Sequence, residues 1–343
     1  MSSRPLVLCL VPSTSPLPMM LELAERSFKD DFILIHGVKV VDLSQNEREK
    51  VKGIICNHGF RRSKIRVNRE IMDLLPNLKV ISTPSAGVDH IDVEEATARG
   101  IRVGHVPGYF NSDSVAEFSL GLLLASARSI LQANEVAKSS DAAQSAVRLY
   151  PPSRKDSDGL QKFPKDFRNI SRWIPPSQVT GSTLGLVGFG NIGRAIAERA
   201  KGFKMNILYH CATFCLELKE LLTASDFVVL SLPLTPETTN FISAEELSIM
   251  KSTATLINVG RGETVNHDDL TVALQKGVIK AAALDVTDPP VLPRDHPLLN
   301  MSNVIITPHI AYLTTSVLQL RCSTSLDNLR AGVKDEELLY SVN

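Results

Sequence analysis

Short apolar runs recur along this chain, separated by stretches whose apolar residues return at helical spacing. In the first hundred residues, Leu6–Val11, Phe32–His36, Gly53–Cys56, Leu78–Thr83 and Ile101–Val103 predict strands. Pro18–Phe28, Arg69–Leu75 and Asp92–Arg99 predict helices between them. Alternation of this kind predicts a parallel sheet with helices on both faces, because each strand must return to the same edge through a crossover. Ser114–Ala127 is apolar on nearly every side, with Glu117 its one charge, and predicts a helix buried in a core or between subunits. The stretch Ser139–Pro176 carries Pro151-Pro152, Pro175-Pro176 and several Ser and Asp without periodicity, and predicts a long irregular insertion. From Thr183 the alternation resumes, with strands at Thr183–Gly188, Met205–Tyr209, Phe227–Ser231, Ala254–Val259, Lys280–Asp285 and Val304–Thr307. An amphipathic helix over Thr314–Val333 closes the chain. The fold class is α/β, with two doubly wound parallel-sheet domains.

The bulk properties narrow the functional classes. A length of 343 residues favours two domains. Thirty-seven basic against 37 acidic residues leave no net charge, so no nucleic-acid partner is expected. The five cysteines are scattered and odd in number, which points to a reducing compartment and away from a disulfide framework. Cys211 and Cys215 lie four apart, but no further Cys or His pair completes a metal site, so no metal is expected. The early apolar run Pro5–Pro12 is too short to span a bilayer and lacks a cleavage pattern after it. The last residues, Ser341-Val342-Asn343, are not a peroxisomal signal, and a cytoplasmic protein without a membrane partner is expected.

One run carries chemistry. Thr183–Val187 is a strand that breaks into Gly188-Phe189-Gly190-Asn191-Ile192-Gly193 and continues into the helix former Arg194–Ala200. Gly188 permits the tight turn, Gly190 lets the backbone approach a pyrophosphate, and Gly193 lets helix and strand pack closely. The helix start offers unpaired N–H groups and a positive dipole end to phosphates. A returning strand at Met205–Tyr209 gives the motif the context that dinucleotide binding needs. Three polar residues then stand at later strand ends: Arg261, Asp285 and His309. Ligands of open parallel sheets bind outside the carboxyl ends of strands, so these three suggest a shared crevice.

The chain resembles the D-isomer-specific 2-hydroxyacid dehydrogenases, most of all their glyoxylate/hydroxypyruvate reductases. The likeness is carried by Val80–His90, the Gly188–Gly193 loop, Ser225–Val229, Ser231–Pro236, Ile257–Gly262, Ala283–Val286, Leu292–Leu298 and Thr307–His309. It implies a substrate domain of residues 1–110 plus 311–343 and a nucleotide domain of 111–310, with the insertion at 139–176 inside the latter. It implies that Arg261 holds the substrate's carboxylate and carbonyl oxygen, that His309 protonates that oxygen, and that Ala86 and Gly87 offer backbone N–H groups to the carboxylate. The implied cofactor contacts are Gly188, Gly190, Asn191, Ile192, Gly193, Val259 and Asp285, the last facing the nicotinamide. The implied reaction is NAD(P)H-dependent reduction of a small 2-oxoacid to the D-2-hydroxyacid, in a homodimer.

The chain departs from that family at two places. Pro290 stands where the family carries the Glu that pairs with its catalytic His, and Asp288 is the nearest stand-in. Loss of a carboxylate beside an imidazole disfavours its protonated form, so reduced or acid-shifted activity is expected. The span from Tyr209 to Asp226 has room for one helix, Leu216–Thr223, so one βα unit is missing. The end of the second strand, Tyr209–Thr213, holds neither the acid that binds an NAD ribose nor an Arg for a 2′-phosphate. Absence of the acid tilts the expected cofactor toward NADP. The alternative reading is a catalytically impaired nucleotide-binding scaffold, or a corepressor-like protein, of the same fold.

Overall fold

The computed structural model describes residues 4–11, 17–56, 66–138, 177–211 and 216–343. The expected 139–176 insertion and Cys215 lie outside them. The chain divides into two compact units, Met1–Ser114 with Tyr312–Asn343, and Val115–Ala311.

The first unit is built on five parallel strands: β1 (Leu6–Leu10), β2 (Ile33–His36), β3 (Val51–Cys56), β4 (Val80–Ser82) and β5 (Arg102–Gly104), in the order β2-β1-β3-β4-β5. The central strands are apolar throughout because both faces are covered. Leu8, Ile54 and Ile81 are buried on one side of the sheet, and Val7, Ile55 and Val80 on the other. The helices are α1 (Leu17–Ser27), α2 (Gln45–Lys50), α3 (Arg69–Asp73) and α4 (Val93–Ala98). The last helix of the chain, Thr315–Val333, returns to this unit, and its Leu326 and Leu329 join the Val7–Ile55–Val80 core. It is buried over more of its circumference than an amphipathic stripe requires. Its polar inward residues are satisfied: Ser82 Oγ donates to the Ser325 carbonyl at 2.9 Å, and Asn328 Nδ2 to the His105 carbonyl at 3.1 Å.

The helix expected at Ser114–Ala127 is α5 (Ser112–Ala127), followed by α6 (Ile130–Lys138). Val115, Ala116, Leu120, Leu122 and Leu123 are buried within the single chain, while Asp113, Glu117 and Gly121 form an exposed stripe. The six parallel strands of the second unit are β6 (Thr183–Val187), β7 (Asn206–His210), β8 (Phe227–Leu230), β9 (Thr255–Asn258), β10 (Ala281–Leu284) and β11 (Val304–Ile306). Their order is β7-β6-β8-β9-β10-β11. Its helices are α7 (Asn191–Gly202), α8 (Leu218–Ala224), α9 (Ala244–Ile249) and α10 (His267–Gln275), and we number the Thr315–Val333 helix α11. β7 is the edge strand, so the order lacks the outermost strand of a full 3-2-1-4-5-6 dinucleotide sheet. Among the described residues, no strand of the βα unit read as missing from the short Tyr209–Asp226 span joins the sheet beyond β7.

Candidate active site

The chain leaves β6 to one side, into α7 and β7, and returns on the other side as β8. That reversal opens a crevice at the carboxyl ends of β6 and β8. Gly188 sits there with φ +98°, a conformation that penalises any side chain. A Cβ on Gly193 would lie 2.3 Å from the Gly188 carbonyl oxygen, so only glycine lets α7 start this close to β6. Gly190 caps α7 and has open space where its Cβ would be. Asn191 and Ile192 begin the helix, whose first N–H groups have no intrahelical partner. Tight turn, open approach and close packing are the three features a pyrophosphate cradle requires. The residues present therefore fit a dinucleotide.

Ser231 ties this loop to the end of β8. Its hydroxyl donates to the Gly188 carbonyl at 3.1 Å. Beyond it, β9 ends at Asn258, which is fully buried and directs the next residues. Asn258 Oδ1 accepts from the Gly260 N–H at 3.0 Å, and its Nδ2 donates to the Arg261 carbonyl at 2.8 Å. Thr264 Oγ1 donates to the same carbonyl at 2.6 Å. Arg261 is thus held by its backbone while its side chain remains partly exposed, with Nη1 donating to the Gly260 carbonyl at 3.0 Å. Among the described residues no carboxylate lies within ion-pair distance of Arg261. Val259, just before it, is buried and donates its N–H to the Leu230 carbonyl at 3.2 Å.

Asp285 ends β10 and His309 follows β11. Asp285 is buried, and its oxygens accept from Thr307 Oγ1 at 2.6 Å, from the Ile310 N–H at 2.9 Å and from the Ala311 N–H at 2.9 Å. Its carbonyl accepts from the His309 N–H at 2.7 Å. These bonds hold the turn in which His309 sits exposed at φ +56°. The sequence reading faced Asp285 toward the nicotinamide. Its hydrogen bonds hold the turn that carries His309. Arg261 and His309 follow strands two ladder positions apart, so their backbones stand on the order of 10 Å from each other. That separation allows two long side chains to reach one small molecule.

The backbone of Asp288 meets a second histidine. Its N–H donates to His267 Nε2 at 3.4 Å, while His267 Nδ1 bonds the Val265 carbonyl at 2.9 Å. The hydrogen bond described for Asp288 is thus to His267, and Pro290 is exposed two residues on. In the first unit, the loop after β4 holds Ala86 and Gly87. Ser85 shapes it, donating from its hydroxyl to the Gly87 carbonyl at 2.9 Å. The N–H groups of Ala86 and Gly87 donate no hydrogen bond among the described residues, and both residues are partly exposed.

Sequence reasoning did not single out Ser231, Asn258 or Thr264. The signal available was a polar residue ending an otherwise apolar strand, as in Thr255-Leu256-Ile257-Asn258. Three of the described thiols are buried and pushed up by that burial: Cys9 and Cys322 to about 11, Cys56 further. Among the described residues no cluster of His, Cys, Asp or Glu is arranged to hold a metal ion. No described helix is long and apolar enough to cross a membrane.

Residues 120–311 match the NAD-binding domain of the D-isomer specific 2-hydroxyacid dehydrogenases, more than half of the chain. A glyoxylate reductase of Thermofilum pendens is 39% identical over 283 residues, 79% of this chain and 76% of the relative. A glyoxylate reductase/hydroxypyruvate reductase of Mus musculus is 36% identical over 301 residues, 84% of each chain. Among solved structures, the NADPH-dependent glyoxylate/hydroxypyruvate reductase of Sinorhizobium meliloti, in complex with NADP and malonate, superposes with a TM-score of 0.75 at 28% identity, covering 99% of this chain and 97% of that one. Crevice, fold and relatives together define an NAD(P)-dependent oxidoreductase acting on CH–OH donors. The chain belongs to the D-isomer-specific 2-hydroxyacid dehydrogenase family.

Proposed function

We propose that the protein reduces a small 2-oxoacid of the glyoxylate or hydroxypyruvate type to its D-2-hydroxyacid, with NADPH as the preferred reductant. The observation that carries this reading is Arg261, partly exposed, fixed through Asn258 and Thr264, and without a carboxylate partner among the described residues. A guanidinium in that condition suits a carboxylate and the neighbouring carbonyl oxygen, which it grips as a rigid fork. The nicotinamide, when bound, supplies the hydride to the carbonyl carbon. Negative charge then develops on the oxygen, where Arg261 stabilises it and His309 delivers a proton. Ala86 and Gly87 offer their N–H groups to the substrate carboxylate.

The preference for NADPH rests on the end of β7, where Tyr209 and His210 carry no acid to repel a 2′-phosphate. Tyr209 stacks on Phe189 of the glycine loop, ring centroids 4.0 Å apart, and the Arg194 guanidinium stands 5.7 Å from the Phe189 ring. These residues edge a cavity of about 340 Å³ that also meets Lys201. Arg194 supplies the cation that the Tyr209–Thr213 segment lacks. The homodimer draws support from Ile130 and Leu131 of α6, both exposed large apolar side chains just after α5. Sedimentation of the purified chain tests it.

Steady-state oxidation of NADPH with glyoxylate, from pH 5 to 8, tests the reaction. Because Pro290 replaces the family Glu, the rate is expected to rise as pH falls. A flat plateau through pH 7–8 that disappears in Asp288→Asn shows that Asp288 serves after all. Pro290 also favours the second reading, a nucleotide-binding scaffold. NADPH binding without turnover across that range supports the scaffold and ends the reductase proposal.

A further inference from the structure

A second guanidinium lies in the first unit, away from Arg261 in sequence. Arg321 sits in the second turn of α11, and its side chain turns toward the loop after β4. Its Nε donates to the Pro84 carbonyl, two residues before Ala86. Its guanidinium carbon lies 4.3 Å from the centroid of the Tyr312 ring. The side chain is part-buried, and no carboxylate among the described residues lies within ion-pair distance of it. A guanidinium carries five N–H donors, and the Pro84 carbonyl and the Tyr312 side chain take only part of that set. The open N–H groups of Ala86 and Gly87 follow immediately along the loop.

The physical problem is a cation withdrawn from water with no carboxylate counter-ion among the described residues. Burial lowers the pKa of Arg321, the Tyr312 contact opposing it. Stacking on an aromatic ring recovers only part of a lost hydration shell. An anion arriving with the ligand would supply the rest, in the bidentate geometry a guanidinium favours. At most about 7 Å of chain separates Pro84 from Ala86. A small diacid with one carboxylate on the Ala86–Gly87 amides spans that distance.

We propose that Arg321 forms a second anion subsite that selects 2-oxoacids bearing a second negatively charged group, of the oxaloacetate type. The proposal rests on the reading of Ala86 and Gly87 as carboxylate donors. Arg321 is a specificity residue here: it binds the second charged group of the substrate.

The test compares wild-type protein with Arg321→Gln and Arg321→Lys, using oxaloacetate and glyoxylate with NADPH. The expected result is a fall of at least 20-fold in the oxaloacetate-to-glyoxylate ratio of kcat/KM in Arg321→Gln, carried by KM. Arg321→Lys, which keeps the charge and loses the fork, recovers part of the ratio. An unchanged ratio overturns the proposal, including the case in which both substrates weaken equally because the loop has lost its Pro84 tie. Thermal shifts with malonate against acetate give a readout independent of turnover. A malonate-specific shift lost in Arg321→Gln supports the subsite even if no 2-oxoacid is reduced. A malonate shift that is absent, or unchanged in Arg321→Gln, overturns it while leaving the reductase reading standing.

Discussion

Arg261 is partly exposed and His309 exposed, so each side chain can be replaced individually. Arg261→Gln keeps the volume and loses the charge, and is expected to lower kcat/KM for glyoxylate by about 10²–10³-fold, the usual effect of removing one donor to a developing oxyanion. Steady-state kinetics at fixed NADPH measure it, and a loss under tenfold removes Arg261 from the mechanism. Asn258→Ala leaves the Gly260 N–H without its side-chain acceptor and is expected to destabilise the fold by about 1–3 kcal/mol, read from urea denaturation. His267 makes stability depend on pH. Burial holds its pKa below the ordinary 6.5, against the raising influence of the Val265 carbonyl and Asp288. The unfolded chain therefore binds the proton more readily, so the stability from neutral His267 is fully present above pH 6.5 and is lost as pH falls through the folded value. His267→Gln is expected to flatten the melting temperature between pH 7 and 5; an unaltered slope assigns that dependence to other groups. Arg261 and His309 were legible because both are polar residues at the ends of apolar strands. Asn258 was not, since a buried amide inside a strand reads as a strand residue until its hydrogen bonds are seen.

Among elements, the β6–α7 junction and α11 show opposite degrees of legibility. The glycine spacing announced the junction, and its geometry follows from backbone sterics alone. Gly193→Ala forces a methyl against the Gly188 carbonyl and is expected to weaken NADPH binding at least tenfold, measured by cofactor fluorescence. The residues of α11 read as an amphipathic helix, yet Ser325, Asn328 and Gly332 are buried because the helix lies across the sheet of the first unit. A Cβ on Gly332 would sit 2.4 Å from Val80 Cβ. Gly332→Ala is expected to destabilise by about 1–3 kcal/mol through overpacking, checked by thermal denaturation. The helix α2 escaped the periodicity argument because none of its residues is buried. Its sign was the Ser44 capping box, in which the Ser44 N–H donates to Glu47 Oε2 at 2.9 Å and the Glu47 N–H to Ser44 Oγ at 3.4 Å.

For the whole molecule, the unusual feature is the edge position of β7 in the six-stranded sheet. Among the described residues no strand flanks it, and Tyr209, Phe189 and Arg194 line a cavity at that edge. NADPH at a hundred times its Kd is expected to stabilise the protein by about 2.7 kcal/mol. In a domain of this size that corresponds to about 5–10 °C in melting temperature. A scan with NADPH and NADH at equal concentration decides the preference: a larger shift with NADH reverses it.

The sequence by itself determined the two parallel sheets, the glycine cradle and the strand ends that carry Arg261, Asp285 and His309. Those features depend on local terms, namely apolar run length, backbone freedom at glycine and the position of polar residues beside apolar ones. Tertiary structure alone decided which distant polar groups answer each other: Asp285 holding the turn of His309, His267 taking the Asp288 N–H, and Arg321 reaching the Pro84 carbonyl across 237 residues. Hydrogen bonds and buried charges are settled by proximity in three dimensions, and no local pattern encodes a partner that distant.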